Sequence, residues 1–311
     1  MPLASSKRIF GRFLTGFILS VAALSVAVFA PAASAQTAPV VAAKSKTSQS
    51  RFAKLDGMRV HYDNHGKGDE ALVFVHGWTC NLSFWRMQVP AFAGRMRVIA
   101  VDLPGHGESD KPQIAYTQDL FARSIDAVLK DAGVKRAVLV GHSMGTPVIR
   151  QFYRKYPEKT LALVIVDGAL RPFAPRAAME PFIAPMRTAN YKNVASEMID
   201  GMLNAQMPAP LRAEIKTSML STPQYVAVSA MEGMVDDAIW TEDQIKVPAL
   251  AVLAKSPFWP PDNEQRYRKV APDMDYQMWE GVTHFLMMDK PDEFNRTLAS
   301  FLARHHLLKQ K

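Results

Sequence analysis

The chain has 311 residues, 48% of them hydrophobic and 21% charged. That is enough apolar mass for one or two domains with a full core, and it excludes a disordered or collagen-like chain. The single cysteine, Cys80, rules out an intramolecular disulfide and any metal site built on two or four cysteines of one chain. The net charge of +8 is not gathered into a long basic run, which argues against nucleic acid as a partner.

The chain opens with an address. Lys7, Arg8 and Arg12 precede a mostly apolar stretch from Phe13 to Ala30, then Pro31 and Ala33-Ser34-Ala35. A positive start, an apolar middle and an Ala-x-Ala end describe a secretory signal peptide over residues 1–35, cut after Ala35 to leave Gln36 first. The expected destination is export, to a bacterial periplasm or the medium. Residues 1–35 hold three basic and no acidic residues, so the net charge falls from +8 to +5 on cleavage. The alternative is a retained membrane anchor, since about 20 apolar residues span a bilayer; beyond this segment nothing points to a membrane. Residues 36–51 are small, polar and aperiodic, and read as a flexible leader.

From Phe52 to Asn64 the pattern predicts two short strands turning at Asp56-Gly57. Short apolar runs then recur at Ala71–Val75, Met96–Val101, Ala137–Val140, Leu161–Val166 and Ala249–Leu253, with a last strand at Met274–Trp279. Most are too uniformly apolar for a half-exposed strand, so they read as buried parallel strands covered by helices on both faces. Between them, Leu120, Phe121, Ser124, Ile125, Val128 and Leu129 form one helical stripe; Phe294, Leu298, Phe301 and Leu302 form another at the end. Alternation of strand and helix implies a doubly wound, mostly parallel α/β sheet, with chemistry at the carboxyl ends of its strands.

Residues 169–246 interrupt the alternation. They contain eight of the seventeen methionines, including Met186, Met207, Met219 and Met231, and no convincing strand. Segments 190–205, 209–221 and 223–237 read as helices, so the stretch is expected to be a helical cap inserted between core halves 52–168 and 247–311. Its methionines either line an adaptable apolar surface or pack the cap on itself.

Val140-Gly141-His142-Ser143-Met144-Gly145 carries G-x-S-x-G between a buried strand and a helical pattern (Val148, Ile149, Phe152, Tyr153). The serine backbone must be strained there, and side chains at Gly141 or Gly145 would meet neighbouring backbone. The turn lifts the Ser143 hydroxyl clear of the sheet. A serine hydroxyl needs a base. Of eight histidines, His305 and His306 fall on the terminal helix, His61 and His65 in or near the hairpin, and His76 and His106 in turn motifs. His142 adjoins the serine but should point elsewhere. His284, after the last strand and before the last helix, is left. Two backbone donors must meet an oxyanion: Met144 N–H is one, and Trp78 N–H is the expected second, with Gly77 allowing close approach. The Trp78 indole either walls a pocket or simply packs. Cys80 reads as a buried packing residue.

His76-Gly77-Trp78, Asp102-Leu-Pro-Gly-His-Gly-Glu-Ser109, Gly141-His-Ser-Met-Gly145 and Gly281-Val-Thr-His284, in this order over roughly residues 55–306, resemble the α/β-hydrolase superfamily. The resemblance implies a helical cap and no cofactor or metal. It makes Ser143 the nucleophile, His284 the base and acid, and Trp78 with Met144 the oxyanion hole. Relatives usually carry the third, acidic member a few positions after the fifth buried strand. Here that position, near Pro257, has no carboxylate. Two candidates remain. Asp167 ends the preceding strand, where some superfamily members place their acid, and Asp262 could reach back through a Pro-rich loop. Asp167 is preferred because a strand end holds it rigidly; Asp102 and Asp110 are weaker.

The implied reaction is acyl transfer to water by a carboxylesterase-like serine hydrolase. The cap, with Trp78, Phe258 and Trp259 expected near the site, favours a small or medium apolar ester, then a lactone; perhydrolysis is a conceivable side activity. Ser143 in place of aspartate argues against haloalkane dehalogenation, and His76-Gly77-Trp78 lacks the His-Gly-Gly-Pro of proline-trimming peptidases. The rival from another class is a non-catalytic receptor for a small molecule.

Overall fold

In the computed structural model, residues 48–172 and 174–308 are described. The expected signal peptide and most of the expected leader lie outside them. The elements run β1 (Ser48–Leu55), β2 (Met58–His65), β3 (Glu70–Val75), α1 (Val89–Ala93), β4 (Arg97–Val101), α2 (Gln118–Ala132), β5 (Arg136–His142), α3 (Gly145–Lys155) and β6 (Thr160–Val166). The helices α4 (Arg176–Ile183), α5 (Tyr191–Gly201), α6 (Ala209–Leu220) and α7 (Gln224–Met234) come next. Then follow β7 (Ala249–Ala254), α8 (Asn263–Val270), β8 (Asp275–Trp279), α9 (Leu286–Asp289) and α10 (Pro291–Arg304).

The eight strands form one sheet in the order β1-β2-β4-β3-β5-β6-β7-β8. β1 and β2 pair antiparallel, β2 and β4 likewise, and all pairs from β4 to β8 are parallel. The uniformly apolar runs behave as buried parallel strands must: every side chain of β4 and β7 is buried, as are all but the first of β3 and β5. Each fully buried Val, Leu or Ile contributes roughly 1.5–3 kcal/mol relative to exposure. α2 begins where Thr117 Oγ1 accepts the Leu120 N–H, and stops at Gly133, whose φ of +66° closes the last turn.

Two differences from the sequence reading have local causes. Residues 48–51, assigned to the flexible leader, are the first half of β1, held opposite Tyr62–His65. Backbone pairing with β2 builds this strand, so its polar side chains give no apolar alternation to read. α4 was not expected, because Arg176–Ile183 carries Pro181 inside it and buries only Ile183. The other three helices between β6 and β7 fall where the helical periodicity put them. α6 and α7 are tied to loops leaving the carboxyl ends of β3 and β4. Trp78 Nε1 donates to Ala227 O, Thr222 Oγ1 to Thr79 O, Asn81 Nδ2 to Ser218 Oγ, and Tyr116 N–H to Ser229 Oγ.

Candidate active site

β5 ends at His142, α3 starts at Gly145, and Ser143 turns the corner with φ of +52°. A non-glycine residue there is strained. Two hydrogen bonds hold the strain: Ser143 N–H donates to Val166 O at 3.0 Å, and Thr146 N–H donates to Ser143 O at 2.9 Å. The flanking glycines are a steric requirement. A Cβ on Gly141 would stand 2.4 Å from Gly145 O, and one on Gly145 would stand 2.6 Å from Val75 O.

The Ser143 N–H bond to Val166 fixes the elbow against the end of β6, and the next residue is Asp167, itself at φ of +41°. Asp167 N–H donates to Val252 O at 2.9 Å, and its Oδ1 accepts the Ala254 N–H at 2.8 Å. Its Oδ2 meets His284 Nδ1 at 2.6 Å. An ionised carboxylate only accepts, so Nδ1 carries the proton and Nε2 keeps its lone pair. The structure therefore brings Asp167 and His284 together beside the elbow. Asp262 is elsewhere: exposed at the start of α8, it pairs with Arg266 at 2.6 Å. Strand order decides between the two carboxylates. β6 lies beside β5, whereas the loop after β7 turns outward and leaves Phe258 78% exposed. Phe258 was expected near the site and stands in solvent instead, and Trp259 folds back to donate to Ala254 O.

The loop carrying His284 is anchored on both sides. Asp289 Oδ2 accepts the Thr283 N–H at 2.6 Å and the Thr283 hydroxyl at 2.7 Å. On the other side, His142 Nε2 donates to His284 O at 2.8 Å. The sequence showed only that His142 should turn away from the serine; its contact with the His284 backbone needed the fold.

The loop after β3 presses against the elbow. A Cβ on Gly77 would fall 3.0 Å from Ser143 Cβ and 2.9 Å from His142 Nδ1. This puts the backbone of Gly77 beside Ser143, and Met144 occupies the N-cap of α3, where the first helical N–H groups have no intrahelical partner. The Trp78 indole is buried, and its N–H joins the core to α7.

The other buried histidines on these turns are neutral. His76 Nε2 accepts the Leu103 N–H and its Nδ1 donates to Gly77 O, while burial lowers its pKa. Burial, with His76 close by, brings His106 down to about 3. Burial pushes the Cys80 thiol up, so it stays a thiol. Asp102 is a turn organiser: it accepts N–H bonds from Leu82 and Glu108 and one from His61 Nδ1 at 2.7 Å. Arg150 escaped the sequence reading, because it lies beside Arg154 off the apolar stripe of α3 and its burial comes from other segments. It is buried, and its guanidinium donates to Leu170 O, Thr241 O and Asp243 O, at both ends of the helical insertion.

Comparison with known proteins agrees with this fold. A family model described as alpha/beta hydrolase fold matches residues 70–197. The 2-hydroxy-6-oxononadienedioate/2-hydroxy-6-oxononatrienedioate hydrolase of Burkholderia vietnamiensis is 30% identical over 287 residues, covering 86% of this chain and 100% of that protein. The chain belongs to the α/β-hydrolase superfamily. Among solved structures of the superfamily, an N-acyl homoserine lactone degrading enzyme superposes with a TM-score of 0.70 at 26% identity, over 81% of this chain and 100% of its own. The esterase of Exiguobacterium antarcticum shares the fold, with a TM-score of 0.74 at 18% identity over 82% of this chain and 100% of its own. This α/β-hydrolase is thus a hydrolytic enzyme, and Ser143 follows β5, Asp167 follows β6 and His284 follows β8.

Proposed function

We propose that the protein is a serine hydrolase that cleaves small to medium apolar carboxylic esters, or lactones, through an acyl-enzyme. The observation that carries this reading is the 2.6 Å contact between His284 Nδ1 and Asp167 Oδ2, made next to a serine held at positive φ on a strand–helix elbow. Asp167 fixes the imidazole tautomer and stabilises the imidazolium that forms. His284 Nε2 takes the proton as Ser143 Oγ attacks the carbonyl carbon. The tetrahedral oxyanion lies between the N–H groups of Trp78 and Met144. His284 then protonates the leaving alcohol, and water, deprotonated by the same nitrogen, releases the acid and restores the serine.

The apolar preference is part of the reading; the methionines between β6 and β7 themselves pack, with Met186, Met207, Met219 and Met231 buried and Met179, Met198, Met202 and Met234 half-buried against the same core. Export after cleavage near Ala35 is part of the reading and rests on residues 1–35 alone. One observation favours a second reading, hydrolysis of a carbon–carbon bond beside a ketone: the full-length relative is named for a 6-oxo dienedioate.

A fluorophosphonate probe, with p-nitrophenyl esters of graded acyl length, tests the proposal. Labelling of wild type, lost in Ser143→Ala, and turnover that peaks at short or medium chains are expected. A folded wild type that does not label points to the receptor instead. Labelling without turnover of any ester, but with cleavage of a 2-hydroxy-6-oxo dienoate, selects the second reading.

A further inference from the structure

His142 is the last residue of β5, paired in register with Val166. Its ring is fully buried; its centroid lies 4.6 Å from that of His284 and 5.3 Å from that of Phe285, and the Trp85 ring meets it edge-on at 6.4 Å. The carbonyl of His284 can only accept, so the 2.8 Å contact assigns the His142 proton to Nε2. Nδ1 is then a bare acceptor, buried against Gly77 and without a hydrogen-bond partner among the described residues. A buried unpaired nitrogen is a cost, and among the described residues the one polar contact this ring makes is the bond from Nε2. The useful end of the ring is therefore that nitrogen.

We propose that His142 is a positioning residue for the base: its Nε2–H pins the His284 carbonyl, and its ring backs the His284 imidazole, so that the base is presented to Ser143 in one orientation. This rests on the role assigned to His284 above. Asp167 restrains the base through the ring, Asp289 restrains the preceding Thr283, and His142 restrains the backbone of His284 itself. The three contacts come from different elements, so together they leave the loop little freedom to rotate. His142 also suits the site electrically. Burial and the neighbouring His284 hold its pKa well below the usual histidine range. It stays neutral while His284 gains its charge during each turnover, and adds no second cation beside it.

The test compares His142→Phe, which keeps an aromatic ring and loses the donor, with His142→Gln, which keeps an N–H of similar reach. Three readings are taken on each: rate of fluorophosphonate labelling, kcat and KM on p-nitrophenyl butyrate, and thermal midpoint. For the Phe variant, labelling and kcat should fall on the order of 10²-fold with KM little changed, the mark of lost alignment at the reacting atoms. The Gln variant should return to within about tenfold of wild type, as befits one restored hydrogen bond. If the Phe variant does not fold, His142→Asn, too short to reach the carbonyl, carries the same expectation. A folded Phe or Asn variant that labels at the wild-type rate overturns the proposal, as does a Gln variant no faster than Phe. Failure of the underlying reading looks different: wild type itself then takes up no probe, and the role of His142 falls with that of His284.

Discussion

Replacing Asp167 by Asn isolates the electrostatic part of the site. The substitution is conformationally mild, since Asn tolerates the positive φ of +41° found there. Its side-chain oxygen can still accept the Ala254 N–H that Oδ1 accepts now at 2.8 Å. That choice turns the amide nitrogen toward His284 Nδ1, in the place where Oδ2 now sits at 2.6 Å. Two donors then face each other. The imidazole escapes by moving its proton to Nε2, the atom that must accept the serine proton, and the imidazolium loses its counter-charge. The equivalent change in a serine protease triad lowers kcat about 10⁴-fold, or roughly 5.5 kcal/mol at 1.36 kcal/mol per decade. The same order is expected for Asp167→Asn, measured as kcat on p-nitrophenyl esters with circular dichroism to confirm the fold. Asp262→Asn is the control: Asp262 is exposed and held by Arg266, so its loss should leave kcat close to wild type and cost at most about 1 kcal/mol of stability. A folded Asp167→Asn variant within tenfold of wild type, or an inactive Asp262→Asn, would refute the assignment.

Gly77→Ala places a Cβ 2.9 Å from His142 Nδ1 and 3.0 Å from Ser143 Cβ; displacing this loop should cost about 10²–10³-fold in kcat, the range for one lost oxyanion donor, and an unimpaired variant places the oxyanion donors elsewhere. Ser143→Gly relieves the strain of a φ of +52° and should unfold at a higher temperature than Ser143→Ala, by up to about 1 kcal/mol of stability, as read by calorimetry. Arg150→Met strands the carbonyls of Leu170, Thr241 and Asp243 and should lower stability by about 2–4 kcal/mol in urea unfolding. The His61–Asp102 pair sets a pH window. Burial works against the charge on His61, yet the bond and charge of Asp102 raise its pKa overall. Its stabilisation is therefore fully present below the unfolded value of about 6.5, and is lost as pH rises through the higher folded value. Burial likewise opposes the charge of Asp102, but His61 and the N–H donors bring its pKa below the usual value, so that contribution is lost as pH falls below about 4. The stability gap between wild type and His61→Phe should be wide near pH 5.5 and narrow at pH 9; a gap independent of pH contradicts the pair.

What the amino-acid order settles by itself is local. Uniform apolar runs such as Ala137–Val140, bounded by turn signals, read as strands buried on both faces, and all of the predicted strands formed. The glycine at 141 marks a turn whose own backbone passes too close for a Cβ, whereas at Gly145 the crowding comes from Val75 on a neighbouring strand. The limits are equally local in origin: Pro181 hid α4, and residues 48–51 are a strand only because β2 offers them a ladder. Which carboxylate meets His284 is a different kind of question. Asp262 is 22 residues from it and Asp167 is 117 residues away, so chain distance favours the wrong one. Placement of β6 beside β5 reverses the choice, because neighbouring parallel strands deliver their carboxyl ends to the same edge. The same holds for His142 and Arg150. Each acts through backbone carbonyls supplied by distant segments, and a carbonyl is common to every residue type, so the sequence carries no mark of which one a buried donor will find.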